Sequence, residues 1–283
     1  MDNQCALTVL CENSVAGPFG LVGEHGWAIH ANIFGRSILF DTGQGQGIIA
    51  NSRLLDIDLK DLDAIVLSHG HYDHTSGLPD VLRQCGKIDV YAHPDCFLDR
   101  YWNKDGASRE IGIRYKRSYL ESLGARFSFV REFTEIFEGI YLTGEVPRVT
   151  PFEPVDPNMK VPGPDGTLIQ DDLRDDQSMV IDTDQGLTIV LGCAHAGLVN
   201  ILTHVANHLP DRPIHTVIGG THLGFAEAEQ FEQTMLALDK FAIKRLGAGH
   251  CTGLANSARL FNHLGDRYFF SAVGTRIGCG IQE

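Results

Sequence analysis

One run of six residues constrains this chain more than any other feature. The segment Ala64-Ile-Val-Leu-Ser68 is short and apolar, as is typical of a buried strand, and residues 69–74 read His-Gly-His-Tyr-Asp-His. Because side chains alternate along extended backbone, His69 and His71 point the same way, and a turn brings Asp73 and His74 round to them. Four titratable side chains this close to a buried strand predict a functional site, and the alternative is a polar loop with surface histidines.

The side chains of this run favour metal binding. Imidazole and carboxylate together suit zinc, and iron or manganese are the alternatives. Four candidate ligands in six residues exceed what one tetrahedral ion takes from a single loop, since other segments usually contribute. We therefore expect two adjacent divalent transition-metal ions, zinc before manganese or iron, each completed by ligands from elsewhere in the chain.

The composition narrows the class of partner. The 283 residues include 23 Lys and Arg against 36 Asp and Glu, for a formal charge of −13. An acidic chain is a poor match for nucleic acid, but the charge of a metal can still attract a small anionic substrate. We expect a small-molecule anionic substrate and no nucleic acid, and the sequence leaves the oligomeric state open.

Chain length and segment composition predict one domain in the cytoplasm. A single domain over residues 1–283 is expected from the length. The first residues lack the features of a signal peptide, and no stretch approaches 18 apolar residues, so we expect no membrane association. The seven cysteines are irregularly spaced without a CxxC pair, which predicts neither a disulfide framework nor a zinc ribbon.

Hydrophobic patterning predicts an α/β protein. Strand runs open each half of the chain and α/β units follow, including a hairpin turn at Gln185-Gly186, which favours two sheets sandwiched between helices. Residues 94–123 have weak helical periodicity, and we expect a helical excursion that shapes a substrate pocket. Residues 148–176 hold five of the eleven prolines and predict a long surface loop.

At residues 69–74 the chain resembles the metallo-β-lactamase fold superfamily, whose signature is HxHxDH after a strand. Residues 38–43, Ile-Leu-Phe-Asp-Thr-Gly, are similar to the upstream strand and turn of that superfamily. The resemblance implies an αββα four-layer sandwich with a dinuclear site at one sheet edge. It implies that His69 and His71 hold the first metal, that Asp73 and His74 hold the second, and that Asp41 supports the metal loop by hydrogen bonding.

The later ligands depart from the superfamily pattern, because Thr-Gly-Glu at 143–145 and Leu-Gly-Cys-Ala-His-Ala-Gly at 191–197 replace its usual segments. His195 follows an apolar strand and precedes a helix, so it is the candidate for the missing imidazole; the alternative is a helix-start histidine satisfied by backbone. Cys193 falls where the bridging aspartate is usual, and is either a thiolate ligand or a small buried cysteine. Glu145 is a further candidate ligand.

Two histidines follow later strands. His250 ends a strand and precedes a helix, which matches the last histidine of the superfamily and implies that it completes the second metal. His222 lies beside two glycines that allow close backbone approach, and no metal position remains for it. It therefore contacts substrate or donates a proton, or else it is a structural histidine behind the ligands.

Further segments resemble one branch of the superfamily. Residues 11–15 and 23–29, together with Gly-Gly-Thr-His-Leu at 219–223, look like the dihydropteroate-synthase-related branch. That branch includes synthases that join a dihydropterin diphosphate to a ribofuranosylaminobenzene phosphate. The resemblance places Asn13, Glu24 and His25 near the metals as substrate-binding residues, with ordinary turn residues as the alternative.

The leading functional prediction is a metal-dependent hydrolase, in which a metal-held hydroxide attacks a small phosphoester or related ester. Asp73 has a catalytic role there, because it holds the second metal and orients the hydroxide, and His222 is the second catalytic candidate. The alternative is a transferase joining 7,8-dihydropterin-6-ylmethyl diphosphate to 4-(β-D-ribofuranosyl)aminobenzene 5'-phosphate. A third hypothesis is a non-catalytic metal or redox module. No GxSxG segment occurs, so serine catalysis is not indicated.

Overall fold

Two large mixed sheets organise the fold. The computed structural model describes residues 5–17 and 20–279. The first sheet has seven strands, and its strand order is β18-β1-β2-β3-β4-β5-β8. Its strands are β1 (Cys5–Cys11), β2 (Ala28–Ile33), β3 (Arg36–Phe40), β4 (Ala64–Val66), β5 (Ile88–Ala92), β8 (Ala125–Phe129) and β18 (Arg276–Cys279).

The second sheet also has seven strands, in the order β17-β16-β15-β14-β13-β10-β9. Its strands are β9 (Thr134–Phe137), β10 (Ile140–Leu142), β13 (Met179–Thr183), β14 (Gly186–Val190), β15 (Ile214–Gly220), β16 (Arg245–Gly249) and β17 (Tyr268–Phe270). Strands β13 and β14 form the antiparallel hairpin that the sequence predicts, and β14 to β17 pair in parallel.

Helices cover the outer face of each sheet. They are α1 (Ile48–Leu54), α2 (Tyr72–Thr75), α3 (Leu78–Cys85), α4 (Arg117–Ser122), α5 (Leu198–His208), α6 (Ala228–Phe241) and α7 (Leu254–Leu264). Strand β3 illustrates how the layers form: Ile38 and Phe40 belong to the apolar cluster between the sheets, whereas Leu39 belongs to the cluster beneath α3. This alternation buries both faces of the sheet, and the predicted αββα sandwich is confirmed.

A third, smaller sheet was not predicted. It has four strands in the order β12-β11-β6-β7, and these are β6 (Tyr101–Lys104), β7 (Ala107–Glu110), β11 (Met159–Pro162) and β12 (Leu168–Gln170). The helical prediction for 94–123 is therefore wrong except at α4, and the surface loop predicted for 148–176 contains two strands. Neither region shows strand alternation, because every side chain of β7 and β12 is exposed.

The cysteine prediction also needs correction. Cys5 lies opposite Cys279 in the antiparallel pairing of β1 with β18, and the two sulfurs form a disulfide. Spacing along the chain carried no signal of this bond, since it joins the two ends of the described chain. In the described residues, no helix has the length and apolar character needed to cross a membrane.

Candidate metal centre

Strand pairing sets the position of the loop that carries residues 69–74. Strands β3 and β4 are parallel, with Phe40 opposite Val66, so the residues that follow both strands meet at one sheet edge. Asp41 is fully buried there, and its carboxylate accepts from the Ser68 backbone N–H (2.7 Å) and the Ser68 hydroxyl (2.6 Å). Asp41 therefore supports the loop as predicted.

The same carboxylate orients one of the histidines. Nδ1 of His74 lies 2.7 Å from Oδ2 of Asp41, and Nδ1 of His69 lies 2.9 Å from the Ser68 hydroxyl. Both rings thus use Nδ1 for support, which directs Nε2 toward the middle of the cluster. Such support fixes ring orientation in metal sites.

Two later segments bring further imidazoles to this edge. His195 lies between β14 and α5, in a turn held by the Ala196 N–H, which donates to Asp176 (2.8 Å). Its ring centroid is 4.9 Å from that of His69 and 4.8 Å from that of His71. His250 directly follows β16, and its Nδ1 lies 3.1 Å from Oδ1 of Asn13.

The first ligand group consists of His69, His71 and His195, whose donor atoms all lie within 4.8 Å of one another. Nε2 of His69 lies 3.0 Å from Nδ1 of His71. Within the described residues, neither ring nitrogen of His195 has a hydrogen-bond partner, although both are buried. Burying such atoms unsatisfied is costly, and a metal ion would satisfy them.

The second group contains His74, His250, Asp73 and Cys193. Nε2 of His74 lies 3.2 Å from Sγ of Cys193 and 3.2 Å from Nε2 of His250. Oδ2 of Asp73 lies 3.3 Å from Nε2 of His250 and 3.9 Å from Nε2 of His74. Bonds of about 2.0 to 2.3 Å around a tetrahedral zinc place neighbouring donors about 3.3 to 3.8 Å apart, so these side chains fit a divalent ion.

Burial controls the protonation of the first group. It lowers the pKa of His69, His71 and His195 well below the ordinary value, and the neighbouring histidines, together with Arg100 beside His71, add to the effect. These imidazoles are therefore neutral, which is the form that binds metals. Burial favours the neutral form of Cys193 as well, so it raises the pKa of that thiol, and the nearby Cys251 adds to the shift.

The second group includes an oppositely charged pair. Burial acts to lower the pKa of His74, but the carboxylates of Asp41 and Asp73 outweigh it and raise that pKa to about 9. Burial acts to raise the pKa of Asp73, and the neighbouring histidines, His74 first, hold it well below its usual range. A divalent ion bound here would displace the proton from His74 and take its place beside the Asp73 carboxylate.

The structure does not bring Glu145 to the cluster. Its carboxylate instead accepts from Nε2 of His93 (3.1 Å) and from Arg131 (2.9 Å). The prediction of a ligand role for Glu145 is therefore replaced by an ion-paired role between neighbouring segments. The sequence could not reveal this role, because His93 and Arg131 follow two other strands, β5 and β8.

Glu24 also has a structural role. Its carboxylate is buried and accepts from four successive backbone N–H groups of residues 44–47, at 3.0, 3.3, 2.7 and 3.1 Å. This set of bonds holds the glycine-rich turn after β3, and Glu24 is not among the residues that line the cavity described below. Asn13 lies closer to the site, where its contact with Nδ1 orients His250.

His25 and His222 face the open side of the cluster. Nε2 of His25 lies 3.1 Å from Oδ2 of Asp73, and its side chain is 53% exposed. The ring centroid of His222 lies 4.3 Å from that of His195, at a residue with a left-handed φ of 55°. Burial lowers the pKa of His222 to about 4, so this imidazole is neutral at pH 7.

A cavity of about 640 Å³ opens above the cluster, and both His25 and His222 line it. The third sheet supplies much of its wall through Trp102, Arg109 and Met159. Residues 94–123 thus shape the pocket as predicted, although as a hairpin. The individual wall residues were missed, because nothing in the sequence indicated which strands would pair over the site.

Comparison with known proteins yields one family. Residues 33–204 match the profile of the metallo-beta-lactamase superfamily. The chain is 31% identical over 230 residues, 80% of its length and 78% of the relative's, to 7,8-dihydropterin-6-methyl-4-(beta-D-ribofuranosyl)-aminobenzene-5'-phosphate synthase of Methanocaldococcus jannaschii. An uncharacterized protein of the same organism is 28% identical over 275 residues, 96% of this chain and 99% of that one.

Solved structures give a similar result. A metal-dependent hydrolase of the beta-lactamase superfamily superposes with a TM-score of 0.85 at 25% identity, covering 98% of this chain and 100% of that chain. A diphosphatase of the PhnP family gives a TM-score of 0.57 at 16% identity, covering 98% of this chain and 97% of that one, which shows a shared fold.

Proposed function

Because this chain belongs to the metallo-β-lactamase superfamily, we propose that it is a metal-dependent enzyme that cleaves a phosphate or diphosphate ester of a small molecule. The supporting observation is the convergence of buried donor atoms at the floor of an open cavity. His69, His71 and His195 would hold one ion, most suitably zinc, and Asp73, His74 and His250 the other.

The metal ions and the side chains have separate tasks. Two bound ions would supply a reactive water at neutral pH and positive charge for a substrate oxygen. Asp73 keeps its ionised carboxylate beside both His74 and His250, and so holds negative charge at the second position. His25 reaches the same carboxylate from the cavity side, where its imidazole can donate a proton to a leaving group.

His222 and the cavity wall would position the substrate. The neutral imidazole of His222 lies beside His195 and can accept or donate a hydrogen bond at the substrate. Tyr72 and Trp102 give the cavity an aromatic wall on which a planar ring can stack, and Arg109 offers a guanidinium to an anionic group.

The second candidate is the transfer reaction, and the 31% identity to the synthase over 80% of the chain favours it. In this reaction a nucleophilic atom of the aminobenzene riboside phosphate forms a bond to the methylene carbon of 7,8-dihydropterin-6-ylmethyl diphosphate. The carbon–oxygen bond to diphosphate breaks, diphosphate leaves, and the acceptor loses a proton. The pterin and aminobenzene groups are planar, so both match the aromatic wall. Hydrolysis would instead break a phosphorus–oxygen bond with water as the nucleophile, and the same ligands could hold the diphosphate in both reactions.

Product analysis separates the two reactions. Metal-quantified protein is incubated with the pterin diphosphate, with and without the aminobenzene riboside phosphate, and products are identified by liquid chromatography and mass spectrometry. Hydrolysis gives hydroxymethylpterin in both samples, and transfer gives a coupled product only when the acceptor is present. Turnover that survives complete chelation of the metals would contradict both, and bound metal without either product would favour the non-catalytic metal module.

Variants test the assignment of ligands. His71→Ala should lose metal and activity together, whereas His222→Ala should retain both metals and lose turnover. His263→Ala is the matched control, because its ring pairs with Asp239 at an exposed site, and it should retain metal and activity. An emptied site in His222→Ala would show that the ligand set is different.

A further inference from the structure

We propose that the thiol of Cys193 is the bridging ligand of the metal centre, contacting both ions as a thiolate. The inference rests on the dinuclear site of the proposed function and extends it to metal selectivity. Cys193 lies in the turn between β14 and α5, two residues before His195, and its sulfur is buried among the candidate ligands.

The position of the sulfur supports bridging. Sγ of Cys193 lies 3.2 Å from Nε2 of His74, which belongs to the second ligand group. The same sulfur forms a close set with His69 and His74, with donor atoms within 4.8 Å of one another. Since His69 belongs to the first group and His74 to the second, the sulfur is close to a candidate ligand of each ion.

The backbone around Cys193 is built for close approach. A Cβ added at Gly192 would lie 2.2 Å from the Ser68 hydroxyl oxygen, so only glycine lets this segment lie against the metal loop. A Cβ at Gly220 would lie 2.6 Å from the Gly192 carbonyl oxygen. Gly192 and Gly220 therefore allow residues 192–193 to lie close to the loop that carries residues 69–74. The short side chain of Cys193 reaches the candidate ligands from there.

Cys251 provides a natural comparison in the same cavity. Its sulfur accepts from the His222 backbone N–H (3.3 Å) and donates to the Cys193 carbonyl (3.4 Å). It belongs to the group with Cys193 and His250, on the side of the second ion alone. Cys251 therefore tests whether nearness of a thiol is enough, or whether the position of Cys193 between the groups is required.

A sulfur bridge has a consequence for metal choice. Thiolate ligands favour Zn²⁺, Co²⁺ and Fe²⁺ over harder ions such as Mn²⁺ and Mg²⁺, which prefer oxygen. A carboxylate in the same place makes the centre more tolerant of Mn²⁺. The chain should thus discriminate against Mn²⁺, and Cys193→Asp should relax that discrimination.

Cobalt spectroscopy tests the bridge without measuring activity. Protein loaded with Co²⁺ should show the near-ultraviolet charge-transfer absorption of a thiolate bound to cobalt. Cys193→Ser should lose this absorption, and Cys251→Ser should keep it. X-ray absorption of the zinc form tests the bridge itself: it should show about one sulfur per zinc at about 2.3 Å in the wild type, whereas a sulfur bound to one ion alone would average about half of that. Cys193→Asp, which still carries two ions by elemental analysis, should show no sulfur.

The outcomes distinguish this inference from the proposed function. Two bound ions without a sulfur signal in the wild type would overturn the bridge and leave the dinuclear enzyme standing. Absorption retained in Cys193→Ser, or lost only in Cys251→Ser, would also overturn it. Wild-type protein that binds no transition metal would overturn the proposed function itself. If Cys193→Ser does not fold, the zinc X-ray absorption of Cys193→Asp and Cys251→Ser gives the same decision, since the sulfur signal should persist only in Cys251→Ser.

Discussion

Replacing Arg100 should destabilise the fold more than any exposed charge change. Arg100 immediately precedes β6 and is only 1% exposed, and its guanidinium donates to Asp171 and Asp175, both at 2.7 Å. The second oxygen of Asp175 accepts from the Gly70 N–H (2.8 Å), between two metal-loop histidines. Arg100→Met keeps the apolar stem and leaves two buried carboxylates without their cation, at a cost of about 3 to 5 kcal/mol.

Calorimetry can measure this loss against a matched control. At about 2 to 4 °C per kcal/mol for a chain of this size, Arg100→Met should lower Tm by roughly 6 to 20 °C. Arg126→Met removes an ion pair with Asp89 of similar length, 2.8 Å, whose side chains are 61% and 42% exposed, and should cost less than about 1 kcal/mol. Equal Tm shifts for the two variants would refute the idea that this buried network holds the third sheet to the metal loop.

Three further changes test other parts of the structure. Asp41→Asn removes the carboxylate behind Nδ1 of His74 and should weaken metal affinity about 10- to 100-fold, as measured by competition with a chromophoric chelator; unchanged affinity would contradict a supporting role. Burial lowers the pKa of His30 from its ordinary 6.5 to about 4. As the pH falls, this histidine therefore binds its proton in the unfolded chain before it does so in the folded chain. Stability should therefore be full above pH 6.5 and fall toward pH 4, and His30→Gln should flatten the Tm profile in that window. Trp102→Ala should raise KM about 2- to 10-fold for an aromatic phosphoester and leave KM for a non-aromatic one unchanged, and equal effects would count against stacking.

The candidate ligands could be predicted because strand ends set their positions. His69 follows β4, His195 follows β14, and His250 follows β16. Parallel neighbouring strands end at the same edge of a sheet, so polar residues placed directly after such strands converge. An apolar run followed by a histidine is visible in one sequence, without knowledge of the partners.

The roles of Glu145 and Glu24 could not be predicted in this way. Both are carboxylates near glycines in loops, and nothing local separates a ligand from a structural acceptor. Glu24 binds the backbone of residues 44–47, and Glu145 binds Arg131 and His93. The partners that decide these roles come from other parts of the chain, and their approach depends on the completed fold.

The third sheet was unpredictable for a related reason, and this has a consequence for function. Met159 pairs with Trp102 across two segments that lie far apart in sequence, and the two outer strands, β7 and β12, have no buried side chain to mark them. The sheet nevertheless lines the cavity, while the candidate ligands follow strands of the two large sheets. Sequence change in the wall can therefore alter the substrate or the acceptor without disturbing the ligands. Under the proposed function, this separation places the choice between water and an organic acceptor with the residues of the cavity wall.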